Sequence, residues 1–172
     1  FNESDGTEYT TNLYYNIESF ELSVTGFSIN DGNNNTLDPG ETANGFITLS
    51  NTGTLTSPSF VCVVTTQSAD LNISEQLINI EEIVINGTGN SSEFNMDLEN
   101  TAFNGETKII DFSCQTEYGF ELLSSEDIEV GTVSAVDPLG PDNYGYYIYD
   151  SGDTNYSLVP SYDWIDIEDV GN

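Results

Sequence analysis

The segment 30–41 carries side-chain oxygens at a spacing that could bind a metal ion. Hard cations such as calcium bind about six to eight oxygen ligands and tolerate irregular geometry. The glycine and the last acid stand at other offsets than in an EF-hand, so the segment predicts a calcium loop of a different kind. The alternative is a turn in which Asn and Asp side chains bind only backbone groups. The candidate ligands are Asp31, Asn33, Asn35, Asp38 and Glu41.

The charge of the chain is strongly unbalanced. There are 30 acidic residues, one basic residue (Lys108) and no histidine, which gives a net charge of −29. Nucleic acid is excluded as a partner because the chain has almost no basic side chains to neutralise phosphates. An anionic membrane surface is excluded because it would repel the acidic chain. No apolar run is long enough to insert into a bilayer. A compact body with this charge repels itself, which favours a bound cation such as calcium; the alternative is a well-solvated acidic surface.

Catalysis is not predicted. The chain lacks the histidine and arginine that most often serve as general base, orienting group or anion clamp, and Lys108 stands alone in a predicted strand. Two carboxylates can hydrolyse a glycoside, but among 30 acids some pair arises by chance. We therefore expect a structural or binding protein and not an enzyme.

The two cysteines lie in apolar, β-type runs. Cys62 lies in SFVCVVTT and Cys114 in KIIDFSCQT. One pair of cysteines in an extracellular protein predicts a disulfide, here closing a loop of about fifty residues. The alternative is a pair of buried thiols.

Period-two alternation of apolar and polar residues recurs along the chain, with short Asn- and Gly-rich segments between the runs. This pattern is typical of a β-sandwich. The sequence predicts an all-β, seven-stranded immunoglobulin-like sandwich over residues 20–131, in which the third and sixth strands, which carry the cysteines, are neighbours. The apolar residues lie at even positions before Gly26 and at odd positions after it, which predicts a bulge there. The predicted strands are 20–29, 45–51, 59–66, 80–85, 94–98, 107–116 and 120–123.

Extended segments flank the sandwich at both ends. The N-terminal arm (1–19) ends in an apolar alternation, and the C-terminal extension or connector (132–172) is rich in tyrosine and holds the single Trp of the chain. We expect both segments to pair with a neighbouring module by strand addition. The alternative is a tail folded back on its own sandwich. The residues predicted at the partner interface are Leu13, Tyr15, Ile17, Tyr147, Tyr149 and Trp164.

Asn-X-Ser/Thr sequons predict candidate sites for N-linked glycans, if the source has the machinery for this modification. Asn86 and Asn90 share the loop NGTGNSS and are expected to be the best exposed. The complete set of candidates is Asn2, Asn34, Asn72, Asn86, Asn90 and Asn155.

Two stretches of the chain resemble parts of large secreted bacterial proteins. Residues 31–60 (DGNNNTLDPGETANGFITLSNTGTLTSPSF) resemble the opening of immunoglobulin-like, CARDB-like modules found beside gingipain-type cysteine peptidases. Residues 137–167 (DPLGPDNYGYYIYDSGDTNYSLVPSYDWIDI) are similar to a connector that leads from such a module into a jelly-roll-like domain. The resemblance implies secretion and modular architecture. It does not transfer peptidase activity, because no catalytic Cys-His pair is present.

These inferences predict a structural subunit of an extracellular bacterial fibre or pilus-like appendage, polymerised head to tail from copies of itself by terminal strand exchange. The second reading is an accessory immunoglobulin-like module of a large secreted protease or adhesin. The third is a carbohydrate-binding module whose tyrosines stack on surface glycans. In each case we expect a location outside the cell or on its surface, with calcium bound and glycans attached.

Overall fold

A computed structural model describes residues 11–117, 119–156 and 158, and every regular element in this part of the chain is a β-strand. Among these residues there is no helix of the length and apolarity needed to cross a membrane. The strands are β1 (Leu22–Asn30), β2 (Thr42–Asn51), β3 (Phe60–Thr66), β4 (Leu71–Ile73), β5 (Leu77–Ile80), β6 (Thr88–Asn90), β7 (Phe94–Leu98), β8 (Thr107–Gln115) and β9 (Glu121–Glu129).

The strands form two antiparallel sheets. One has the order β1-β2-β7-β4, with β6 also paired to β2, and the other has the order β5-β3-β8-β9. Apart from the short β5 and β6, this is the arrangement of the seven-stranded immunoglobulin sandwich, in which the first, second, fifth and fourth strands face the third, sixth and seventh. The predicted fold class is therefore confirmed: the protein is an all-β, immunoglobulin-like sandwich.

The core lies between the sheets and follows from period-two alternation. In β2, Ile47 and Leu49 are fully buried, and in β8 the same is true of Ile110, while the residues between them face outward. Successive side chains of a strand point to opposite faces, so one apolar residue in two is enough to fill one side of a sheet. Phe94 and Phe112 meet edge to face across the sheets at 5.8 Å between ring centroids.

The predicted bulge in the first strand is confirmed. The pairing register between β1 and β2 shifts between Val24 and Gly26. The extra residue moves the apolar parity to Phe27 and Ile29, which pack against the core.

The predicted strand over residues 80–85 is wrong beyond Ile80, where β5 ends. Ile83 is buried, but its N–H donates to Ser57 Oγ at 2.9 Å and its carbonyl accepts from Asn51 Nδ2 at 2.9 Å. The segment crosses from one sheet to the other, so Ile83 is buried without a strand ladder, while Val84 and Ile85 are exposed. The short strands β4 and β6 were not predicted, and Asn90 lies in β6, not in a loop.

The disulfide between Cys62 and Cys114 is confirmed. The two residues lie directly opposite each other in β3 and β8, and both are fully buried. The bond therefore joins two neighbouring strands of one sheet, whereas the disulfide of antibody domains joins the two sheets. It closes a sequence separation of 52 residues.

Replacing both cysteines with alanine is expected to lower the free energy of unfolding by about 4 kcal/mol, because the unfolded chain regains the entropy of a long open loop. Urea unfolding of the double variant and of the wild type, with fluorescence or circular dichroism as the signal, measures the difference. Reduced wild-type protein is the control and should unfold near the variant. Equal stability of the oxidised wild type and the variant would contradict the prediction.

Candidate functional site

The loop between β1 and β2 contains the predicted metal ligands, and its first half is organised around Asp31. One carboxylate oxygen of Asp31 accepts hydrogen bonds from the N–H groups of Asn33 at 2.9 Å and Asn35 at 3.0 Å. Desolvation raises the pKa of Asp31, but these backbone hydrogen bonds outweigh it and hold the pKa below its usual value. Asn35 has a positive φ of 60°, a conformation that asparagine tolerates better than most residues.

The other acids of the loop also bind groups within it. Glu41 Oε2 accepts from the N–H of Asp38 at 3.0 Å, and Glu41 Oε1 accepts from Asn33 Nδ2 at 3.1 Å. Asp38 accepts from Asn34 Nδ2 at 3.1 Å. Within the described residues, no three acidic, histidine or cysteine side chains are grouped to hold a metal ion. This geometry favours the alternative, a turn in which the side-chain oxygens bind donors of the loop itself. Calcium binding stays a prediction.

If the loop binds calcium, millimolar calcium should raise the melting temperature and a chelator should reverse the rise, because a ligand that binds only the folded state stabilises it. Scanning calorimetry with and without the ion measures the shift. The double variant Asp38→Asn, Glu41→Gln keeps the side-chain shapes and should lose the response. An unchanged wild-type midpoint would remove calcium from this loop.

The lysine that the sequence analysis described as standing alone is paired with two carboxylates. Lys108 has the same strand parity as Ile110 and faces inward from β8. Its Nζ donates to Asp70 Oδ2 at 2.7 Å and also contacts Glu106 Oε2. Burial lowers the pKa of Lys108, but the hydrogen bonds to the two carboxylates outweigh it, so the pKa lies above its usual value. The only cation of the chain therefore lies in a negatively charged, largely buried setting.

A stack of aromatic rings lies beside this ion cluster. Phe103 stacks on Tyr147 at 3.7 Å between ring centroids and on Tyr156 at 4.0 Å. The hydroxyl of Tyr147 donates to Glu106 Oε1 at 3.1 Å, which connects the stack to the lysine. The pKa of Tyr149 is raised to about 12. The causes are burial, the negative charge that Tyr156 carries when ionised, and a hydrogen bond between Tyr149 and Tyr156. Sequence reasoning missed Phe103, because nothing in its neighbourhood distinguishes it from a loop aromatic.

The tyrosines of the stack belong to residues 132–156, which we call the strap. The strap contains an antiparallel bridge between Leu139 and Ile148, and it is joined to the sandwich by a hydrogen bond from Asn104 Nδ2 to Asp137 at 2.9 Å. This part of the C-terminal extension therefore folds back on its own sandwich, the alternative left open by the sequence. Tyr147 and Tyr149 contact Phe103 of the same chain. Their role at a partner interface stays a prediction, and Trp164 lies outside the described residues.

The N-terminal arm differs from the strap. Residues 11–19 lie outside every strand, and the predicted interface residues Leu13, Tyr15 and Ile17 expose 68%, 79% and 89% of their surface. The arm joins the sandwich at Ser19, whose carbonyl accepts from the N–H of Thr54 at 2.7 Å. An alternating apolar segment is thus left uncovered.

The described sequon asparagines are all exposed. Asn86 has a positive φ of 56° at a turn, and Asn90 accepts a hydrogen bond from Thr48 Oγ1 at 2.9 Å across the β2–β6 pair. Their side chains are accessible, and glycosylation stays a prediction. The exposed sequon positions are Asn34, Asn72, Asn86, Asn90 and Asn155, whereas Asn2 lies outside the described residues.

Replacing Phe103 with alanine should release the strap, because the ring is stacked on two strap tyrosines and its loss exposes both. We expect chymotrypsin to cut the strap of the variant at least about tenfold faster than that of the wild type, since cleavage follows the population of the open form. Mass spectrometry of timed digests measures the rate. Val84→Ala is the control, since Val84 is 59% exposed, lies outside the strap and is not a cleavage site of chymotrypsin. Equal cleavage rates for wild type and Phe103→Ala would show that the stack does not hold the strap.

Comparisons with known proteins identify neither a family nor a function for this chain. No protein-family model matches the sequence, and no curated protein matches it. A solved structure that is similar is the ASH / PapD-like domain of human CEP192 (PapD-like domain 7), which is 12% identical with a TM-score of 0.36. The match covers 74% of this chain and 99% of that one. A likeness this distant carries no argument about this chain.

Proposed function

We propose that this chain is a non-catalytic structural module outside the cell, and that it forms a bacterial fibre by adding the N-terminal arm of one copy to the sandwich of the next. The observation that carries the proposal is the uncovered apolar alternation of Leu13, Tyr15 and Ile17. The disulfide supports an extracellular location, since such bonds persist in oxidising compartments.

The arm has the properties of a donor strand. Leu13, Tyr15 and Ile17 share one face when the segment is extended, because alternate residues of a strand point the same way. Residues 11–17 contain no acidic side chain, although the chain as a whole carries a charge of −29. A neutral segment can approach an acidic sandwich with less repulsion than most other parts of the chain.

The sandwich offers an acceptor along β9. This strand lies at the end of its sheet, so one of its edges has no neighbour among the described strands. Beside it runs a groove of about 630 Å³ whose apolar lining includes Phe27 and Ile29 of β1, Ile128 of β9 and Val133. A strand added to this edge gains main-chain hydrogen bonds from β9 and places its apolar side chains in the groove.

A second candidate function is an accessory module within a larger secreted protease or adhesin. It is favoured by the strap, which packs on its own sandwich through Phe103 and so gives the following chain a fixed point of departure. In this reading the arm contacts a different domain and not a copy of the same chain.

Electron microscopy of the purified chain separates the two functions, because the first predicts long filaments and the second predicts none. The double variant Tyr15→Asp, Ile17→Asp should abolish filaments, since it places charges on the face that enters the groove. Asn16→Asp is the control: it adds charge to the opposite face of the arm and should still polymerise. Monomeric wild-type protein at high concentration would rule out the fibre and leave the accessory module.

A further inference from the structure

The single lysine of the chain lies in contact with two carboxylates under the strap. Lys108 exposes only 7% of its surface. Its Nζ lies 2.7 Å from Asp70 Oδ2, and the same atom contacts Glu106 Oε2. In a chain with 30 acids, the only basic side chain is thus held between two carboxyls, Asp70 and Glu106.

The two partners belong to different sheets. Lys108 lies near the start of β8 in the four-stranded sheet, and Asp70 directly precedes β4 of the five-stranded sheet. The residues are 38 positions apart in sequence. A covalent bond between them would join the two layers of the sandwich, which the disulfide, being within one sheet, does not do.

Contact between the amine and the carboxyl favours their condensation product. Removing an ammonium from water has a desolvation cost, and the ion pair depends on hydrogen bonds to both carboxylates to offset it. An amide formed from the two groups carries no charge, and so it avoids this cost. Amine and carboxylate held in contact also react at a very high effective concentration compared with the same groups free in water.

We propose that Lys108 and Asp70 condense into an intramolecular amide crosslink, with Glu106 as the proton carrier. The Lys108 ammonium gives one proton to Glu106, and the free electron pair of Nζ attacks Cγ of Asp70. The N–C bond forms and one C–O bond of Asp70 breaks. The departing oxygen takes a second proton from the nitrogen and the proton held by Glu106, and it leaves as water. Glu106 ends as the carboxylate it was, and no oxidant or cofactor is consumed.

The strap positions the proton carrier. Tyr147 donates its hydroxyl proton to Glu106 Oε1 at 3.1 Å, and Oε2 is the oxygen that contacts the lysine. The stack of Tyr147 on Phe103 keeps this hydroxyl in place. Tyr147 is therefore a positioning residue, whereas Glu106 contacts the reacting amine directly.

The crosslink has a readout that depends on the composition of this chain. Trypsin cleaves only after lysine or arginine, and Lys108 is the one such residue present. Acylation of Nζ removes the charge that trypsin recognises. The full chain, reduced and denatured, should therefore resist trypsin, and its intact mass should be lower than the sequence mass by one water. Cleavage of the wild type into two fragments, with no loss of water, would overturn the proposal and leave an ordinary ion pair.

Variants test whether Asp70 is the crosslinked carboxyl and whether Glu106 is the proton carrier. Asp70→Ala should restore the full sequence mass and the tryptic cut, and it serves as the positive control for digestion. Glu106→Gln should restore both as well, because an amide cannot accept the proton, while Glu121→Gln on exposed β9 should stay crosslinked. Loss of water in Asp70→Ala would refute the assignment to Asp70, and loss of water in Glu106→Gln would refute the role of Glu106. Circular dichroism checks that each variant folds, and the wild-type mass and digest decide the question even if a variant does not.

Discussion

Repulsion between acidic side chains is the constraint that every part of this molecule has to meet. With a net charge of −29, the surface opposes compaction, and the folded state depends on an apolar interior placed between two sheets. Lys108, the only basic side chain, lies where three parts of the chain meet. Lys108 of β8 contacts Asp70, next to β4, and Glu106, which in turn accepts a hydrogen bond from Tyr147 of the strap. The lysine therefore links both sheets and the C-terminal segment at one place.

The sandwich could be predicted because its signals are local. Alternation along β2, β3 and β8 identifies both the strand and its inward face, and the shift of the apolar positions at Gly26 is a local signal of the bulge. The three-residue strands β4 and β6 could not be predicted, since three residues are too few to show a period. The error after Ile80 has a different cause. Ile83 is as buried as a strand residue, but Ser57 and Asn51 satisfy its backbone in place of a neighbouring strand.

The candidate site was less predictable than the fold because its contacts join distant parts of the sequence. Asp70 and Lys108 lie 38 positions apart, and Tyr147 lies 41 positions beyond Glu106. One signal was present: Lys108 occupies an inward position in phase with Ile110 and Phe112, and a lysine at such a position needs a partner. The loop 31–41 shows the opposite case. Its oxygen spacing suits a cation, yet Asp31 and Glu41 also fit the backbone and side-chain donors of the turn itself.

The positions at which the chain enters and leaves the sandwich have a mechanical consequence. The chain enters β1 beside Phe120, whose ring packs on Phe20 at 5.0 Å, and it leaves β9 beside Leu37, whose carbonyl accepts from the N–H of Gly131 at 3.0 Å. Phe20 and Phe120 precede the two strands and Leu37 and Gly131 follow them, so β1 and β9 begin at one pole and end at the other, and these points lie at opposite poles. A tensile load applied to the two ends would pull along β1 and β9 and shear their ladders lengthwise. All hydrogen bonds of a ladder then share the force, so the module would resist extension far better than one whose strands are peeled apart bond by bond.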